Sequence, residues 1–251
     1  MAGKYRPTSL PPPWLKRVWV DDEAVEDRSG YPFFLPLFRS EGFEFDFDTP
    51  ITIIVGENGT GKSTLLEGIA VLAGFDEGGG GQGYRAIDHS NAIAEDGSAL
   101  AHYLKASWLP KIGKGWFFRA ETFFSVARYL DDSGSRFADF LSHSHGEGFM
   151  RFFEERCSSQ GLFIFDEPES ALSPARQFEF LKLLQNFTAQ GTLQAIIATH
   201  SPILMAMPGA KLWQIDRGGL QQVKLEDTAH YRLLREFILD PHGTIDAMLN
   251  D

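Results

Sequence analysis

The spacing of apolar and polar residues changes several times along the chain, and each spacing predicts an element. Phe43-Glu44-Phe45-Asp46-Phe47-Asp48 alternates strictly, with three rings on one side and three carboxylates on the other. That is the pattern of a half-buried strand. Ile51-Thr52-Ile53-Ile54-Val55, Gly161-Leu162-Phe163-Ile164-Phe165 and Ala195-Ile196-Ile197-Ala198 are near-continuous apolar runs, the pattern of strands covered on both faces. After the first run the period lengthens: Leu65, Leu66, Ile69, Ala70 and Leu72 fall at helical spacing. A second helix is predicted over 175–190, with Phe178, Leu181, Leu184 and Phe187 inward. A short strand over 212–215, a turn at Gly218-Gly219 and a helix over 229–239 follow.

Between these elements the pattern is less regular. Residues 85–160 read as mainly helical, broken by Pro110, Gly113 and Gly115, with a candidate strand over 115–119. Five glycines crowd positions 78–83, which predicts a flexible loop. Residues 1–30, rich in proline and acidic from Asp21 to Asp27, read as a solvated arm or sheet edge. Strands alternating with helices predict an α/β fold on a largely parallel central sheet.

Composition narrows the class. A chain of 251 residues fits one large domain or a domain with an embedded subdomain. Hydrophobic residues at 43% and charged residues at 23% are globular values. No apolar run approaches the ~18 residues that span a bilayer, and Pro11-Pro12-Pro13 stands where a secretory leader needs its apolar stretch. The single cysteine, Cys157, excludes an intramolecular disulfide and a cysteine-built zinc site. The expected location is cytoplasmic, with no direct membrane insertion. The net charge of −11 weighs against a protein that coats nucleic acid. Lys105, Lys111 and Lys114 form the one basic cluster. Phenylalanine is over-used, at 22 residues.

Three segments carry chemistry. Gly56-Glu57-Asn58-Gly59-Thr60-Gly61-Lys62-Ser63 matches GxxxxGK[ST], between a predicted buried strand and a predicted helix. Its glycines allow backbone N–H groups to converge on phosphates, and the helix N-terminus adds partial positive charge. Lys62 is the candidate for reaching the β- and γ-phosphates, and Ser63 for binding Mg²⁺. Asp166-Glu167 closes a second strand: Asp166 as metal ligand, Glu167 as the base for an attacking water. His200 closes a third, where an imidazole N–H can sense a γ-phosphate.

Together with Ser144-His145-Gly146-Glu147 and Ser170-Ala171-Leu172-Ser173, the order of these segments resembles an ABC-type ATPase from about residue 31 onward. The strings GENGTGKSTLLE, FFRAETFF, SHGEGF, DEPESALSPARQ and ATHSPIL are similar to small stand-alone bacterial ATPases related to the SMC/RecF type. The resemblance implies a P-loop core over 1–84 and 161–251, with an N-terminal antiparallel β portion. It implies an inserted helical subdomain over 85–160 that carries the signature. It further implies ATP and Mg²⁺ as ligands, a head-to-tail homodimer on ATP binding, and an unidentified protein partner. Gly56 to Thr64 would bind nucleotide, Ser144 and Gly146 would touch the γ-phosphate held by the other copy, and His200 would be the switch histidine.

Departures from the transporter pattern are visible. His145 replaces a signature glycine and Glu147 a glutamine. The usual Q-loop glutamine is missing, with Glu121 the candidate substitute and Arg119 a candidate for phosphate or for a buried ion pair. Tyr31, Phe38 and Phe43 are candidates for stacking on adenine, against core packing. Only 79 residues separate Thr64 from Ser144, too few for a coiled-coil arm. The resulting expectation is ATP hydrolysis driving a soluble process such as DNA maintenance or defence, with nucleic acid left open as a ligand. The alternatives are a transporter's nucleotide-binding subunit and an ATP-dependent binding switch.

Overall fold

A computed structural model describes residues 7–82, 96–119, 145–216 and 218–250. Among the described residues, nine strands form two sheets. The larger has six strands: β3 (Ile51–Gly56), β5 (Gly115–Arg119), β6 (Gly161–Asp166), β7 (Leu193–Ala198), β8 (Lys211–Asp216) and β9 (Gly219–Gln222). Their order across the sheet is β5-β6-β7-β3-β8-β9, with the first five parallel and β9 antiparallel. The smaller sheet is antiparallel, ordered β2 (Glu44–Asp46), β1 (Leu15–Val20), β4 (Leu104–Trp108). The predicted class, a largely parallel central sheet with an N-terminal antiparallel portion, is the one observed.

The helices are α1 (Lys62–Ala73), α2 (Asp96–Ala101), α3 (His145–Arg156), α4 (Pro174–Ala189), α5 (Pro202–Met205), α6 (Ala229–Leu239) and α7 (Pro241–Asn250). The period-2 geometry of a strand splits the core into two halves. Ile51, Ile53, Val55, Phe163 and Phe165 point to one face and pack with α3 and α4. Ile54, Leu162, Ile164 and Ile196 point to the other, where α1 and the small sheet close over them. The phenylalanine excess is spent mostly on the first face. Phe118 and Phe165 stack at 4.7 Å with 7° between planes, and Phe149, Phe152, Phe153 and Phe180 meet them edge-on or tilted. Cys157 is buried there too, and burial alone pushes its thiol well above the usual range.

Four expectations change. Residues 14–20 are no solvated arm: Trp14, Leu15 and Val18 are fully buried, and β1 is the central strand of the small sheet. One buried side chain fixes that placement. Gln194 on β7 accepts from the N–H groups of Trp14 and Leu15 at 2.7 and 2.9 Å, and donates to the Leu15 carbonyl at 2.9 Å. The stretch 85–160 supplies the expected strand at 115–119, β5, to the edge of the large sheet, and also an unexpected one, β4, to the small sheet. The glycine run is partly ordered, because Gly80 exchanges two 2.9 Å backbone hydrogen bonds with Phe117. On α4 the buried residues are Gln177, Phe180, Leu184 and Phe187, while Phe178 is 61% exposed. The inward face turns because Gln177 is drawn in by two contacts: it donates to the Leu172 carbonyl at 3.1 Å and accepts from Ser201.

Truncating the stacked ring tests this core. Phe165→Ala is expected to lower the unfolding free energy by about 3–5 kcal/mol, read as a shifted urea midpoint at unchanged slope.

Candidate active site

Parallel strands end on the same side, so neighbours in the sheet deliver their C-terminal residues to one crevice. Here β6, β7 and β3 are adjacent, with Asp166 paired to Ala198 and Ile54 to Ala198. Gly56 at the end of β3, Asp166-Glu167 after β6 and His200 after β7 are therefore brought together. This convergence links segments far apart in the sequence.

The loop from Gly56 to Ser63 turns sharply from β3 into α1. Gly56 must be glycine, since a Cβ there would lie 2.9 Å from the Ile215 carbonyl oxygen. Gly61 is the helix N-cap, at φ 104°, a left-handed conformation that a side chain disfavours. No side chain caps α1, so its first-turn N–H groups remain for an anion. Glu57, Asn58 and Gly59 are exposed, whereas Thr60, Gly61, Lys62 and Thr64 are buried. The Lys62 ammonium donates to the carbonyls of Gly56 and Glu57 at 2.7 and 3.1 Å. Burial lowers its pKa, opposed by Glu167, Asp166, Glu57 and Glu169. The hydroxyl of Ser63 donates to Asp166 Oδ1 at 3.2 Å. These two hard oxygen donors at the loop's end are the chemistry that Mg²⁺ takes when phosphates complete its shell.

Glu167 has φ 49°, the one positive-φ residue other than glycine among the described residues. Such a conformation costs of order 1 kcal/mol and persists where surrounding structure imposes it. Here its N–H is tied to the Ala198 carbonyl at 3.0 Å. Its carboxylate lies 3.4 Å from His200 Nε2. Burial lowers the His200 pKa, and Lys62 lowers it further, while Glu167 opposes; the balance favours the neutral ring.

Two family models match the chain. One is an "AAA domain", over residues 34–106. The other is "AAA domain, putative AbiEii toxin, Type IV TA system", over residues 127–206. Both describe AAA domains, each over part of the chain. No curated protein matches the chain by sequence. Among solved structures it is similar to the SMC head domain from Thermotoga maritima, at 16% identity and TM-score 0.45, covering 84% of this chain and 98% of that one. It is also similar to cbiO1 from Clostridium perfringens, part of the ABC transporter complex cbiONQ. That likeness has 16% identity and TM-score 0.46, covering 94% of this chain and 100% of that one.

Gly146 lies in the first turn of α3, while Ser144 and Glu121 fall outside the described residues. Arg119 ends β5 beside Asp166, its register partner, and pairs with Glu67 of α1 at 2.6 Å. The ion-pair reading thus has a partner, although it sits at the sheet edge and not in a helical subdomain. Phe38 is fully buried in the core, and the Tyr31 hydroxyl shares a 2.9 Å hydrogen bond with Thr64. Of the basic cluster, Lys105 is exposed and pairs with Asp21 at 3.7 Å.

Sequence reasoning missed two residues of this site. Glu169 accepts the His200 N–H at 2.6 Å and so latches the turn after β6 to the loop after β7. Burial raises its pKa, against hydrogen bonds from His200 and Thr199. Its only sequence signal is a second acid beside Pro168. His230, on α6, touches the His200 ring and has no spacing signal at all.

The His200 shift fixes the sign of a pH effect. Its folded pKa lies below the ordinary 6.5, so the unfolded chain takes up this proton first. The corresponding stability is complete above 6.5 and is lost as pH falls through the folded value. The urea midpoint is expected to fall on the acid side of 6.5, and to fall less in His200→Gln.

Proposed function

We propose that the chain binds ATP with Mg²⁺ and hydrolyses it within a head-to-tail homodimer, driving a soluble process such as DNA maintenance or defence. The supporting observation is the meeting of the phosphate loop, Asp166-Glu167 and His200 at three neighbouring strand ends. In this reading the backbone of residues 56–64 cradles the phosphates. Lys62 exchanges its carbonyl contacts for β- and γ-oxygens. Ser63 and Asp166 hold Mg²⁺, which would neutralise charge developing between the phosphates. Glu167 accepts a proton from the attacking water, and neutral His200 offers an N–H to the γ-phosphate. Ser144 and Gly146 of a second copy complete the site. Residues 1–84 and 161–251 act as the nucleotide-binding core, and 85–160 as the insert that presents the signature.

The second family model, named for a toxin of a type IV toxin–antitoxin system, supports a defence role over transport. The departures from LSGGQ at His145 and Glu147 point the same way.

Lys62→Ala is expected to weaken ATP binding by about 100-fold, measured by calorimetry; affinity near wild type would defeat the phosphate-loop assignment. Glu167→Gln is expected to retain ATP, slow hydrolysis by about 10²–10⁴-fold and accumulate a dimer in size-exclusion chromatography with light scattering. A monomer at saturating ATP and Mg²⁺ would rule out the two-copy site for this chain alone.

A further inference from the structure

The His200 ring has a neighbour on each nitrogen. Nε2 stands 3.4 Å from the Glu167 carboxylate, and Nδ1 stands 2.9 Å from Nε2 of His230. The two rings lie 5.0 Å apart at 57°. His230 is held there by the start of α6. Thr228, fully buried, caps that helix: its hydroxyl accepts from the Tyr231 N–H at 3.3 Å and donates to the Leu225 carbonyl at 2.8 Å. Since α6 buries none of its own residues, this cap is a main anchor of His230.

A neutral imidazole carries one proton, and a carboxylate only accepts. Placing the proton on Nδ1 of His200 would set a bare nitrogen lone pair against the Glu167 oxygens. The proton therefore belongs on Nε2, and Nδ1 is left as an acceptor. The 2.9 Å contact then closes in one way, with the His230 Nε2–H as donor.

We infer that His230 is a positioning residue of the nucleotide site: its Nε2–H donates to Nδ1 of His200 and fixes the tautomer that turns an N–H toward Glu167 and the γ-phosphate position. The γ-phosphate part rests on the proposed ATP reading; the tautomer does not. The logic is that of histidines that bind metals, where the partner of the second nitrogen sets which nitrogen is free and its loss costs about 10–100-fold. His230 sits on a helix outside the sheet and its ring meets the His200 ring, so its effect is carried through His200.

NMR of protein labelled with ¹⁵N-histidine reads the tautomer directly. Wild-type His200 is expected to show a protonated Nε2 and a bare Nδ1. In His230→Phe the two tautomers should mix, and kcat for ATP should fall about 10-fold while KM stays within about twofold, because the phosphate loop is untouched. His230→Gln, whose amide N–H can still donate, should restore the wild-type tautomer and most of the rate. A protonated Nδ1 in wild-type His200 overturns the inference, as does a wild-type tautomer and kcat in His230→Phe. If that variant does not fold, the spectra of wild type and His230→Gln decide. The spectra need no nucleotide: unchanged ATP affinity in Lys62→Ala would sink the ATP reading and leave the histidine pair to be judged by NMR alone.

Discussion

Parallel pairing of β3, β7 and β6 is the constraint on which the rest of this molecule depends. Such pairing sends every strand out of the sheet on the same edge and demands cover on both faces. The first consequence assembles the site, since Gly56, Asp166 and His200 arrive side by side without any loop having to search for them. The second dictates composition. Alternate residues of each strand need an apolar partner above and below, which α3 and α4 supply on one side and α1 with the small sheet on the other. The ring cluster around Phe118 and Phe165 packs directly beneath the strand that ends in Asp166. The carboxylates are therefore set by dense packing behind them more than by polar contacts around them.

Much of this was readable from the sequence because it is local. The runs at 51–55, 161–165 and 195–198 are strands where expected, and the GxxxxGK[ST] spacing locates the loop between β3 and α1. What escaped is non-local. Nothing in LKRVWV at 15–20 announces a buried strand, because its burial depends on Gln194, almost the whole chain away. Likewise 104–108 is too short and mixed to declare itself before its sheet exists, whereas 115–119 is a strand where expected. On α4 the expected Leu184 and Phe187 are buried, but a polar residue, Gln177, is drawn in for its hydrogen bonds and an apolar one, Phe178, is left outside. The helix expected over 229–239 is α6, and α7, begun by Pro241, is a further helix beyond it.

The site shows the same division. Lys62, Ser63, Asp166, Glu167 and His200 stand in motifs whose spacing reflects strand ends, so they were legible. Glu169 and His230 act on His200 through its backbone and its ring, and such contacts leave no periodic trace. Electrostatics adds a layer that composition hides. A chain of net charge −11 nevertheless gathers Lys62 and the α1 N-terminus at one point, while four carboxylates, Glu57, Asp166, Glu167 and Glu169, act on the same lysine. A polyanion with its own Mg²⁺ suits that mixture better than a bare anion does.

The Gln194 bridge has a mechanical meaning. Sheets in different layers normally meet through side chains that can slide, but here the start of β1 is stitched to β7 by three hydrogen bonds from one buried amide. His200 lies six residues further along the same strand direction. This amide thus links the start of the N-terminal sheet to the strand that leads to His200. Trp14, sealed at that link with its indole N–H on the Leu10 carbonyl at 3.0 Å, is a native fluorophore placed to report any tilt between the two layers.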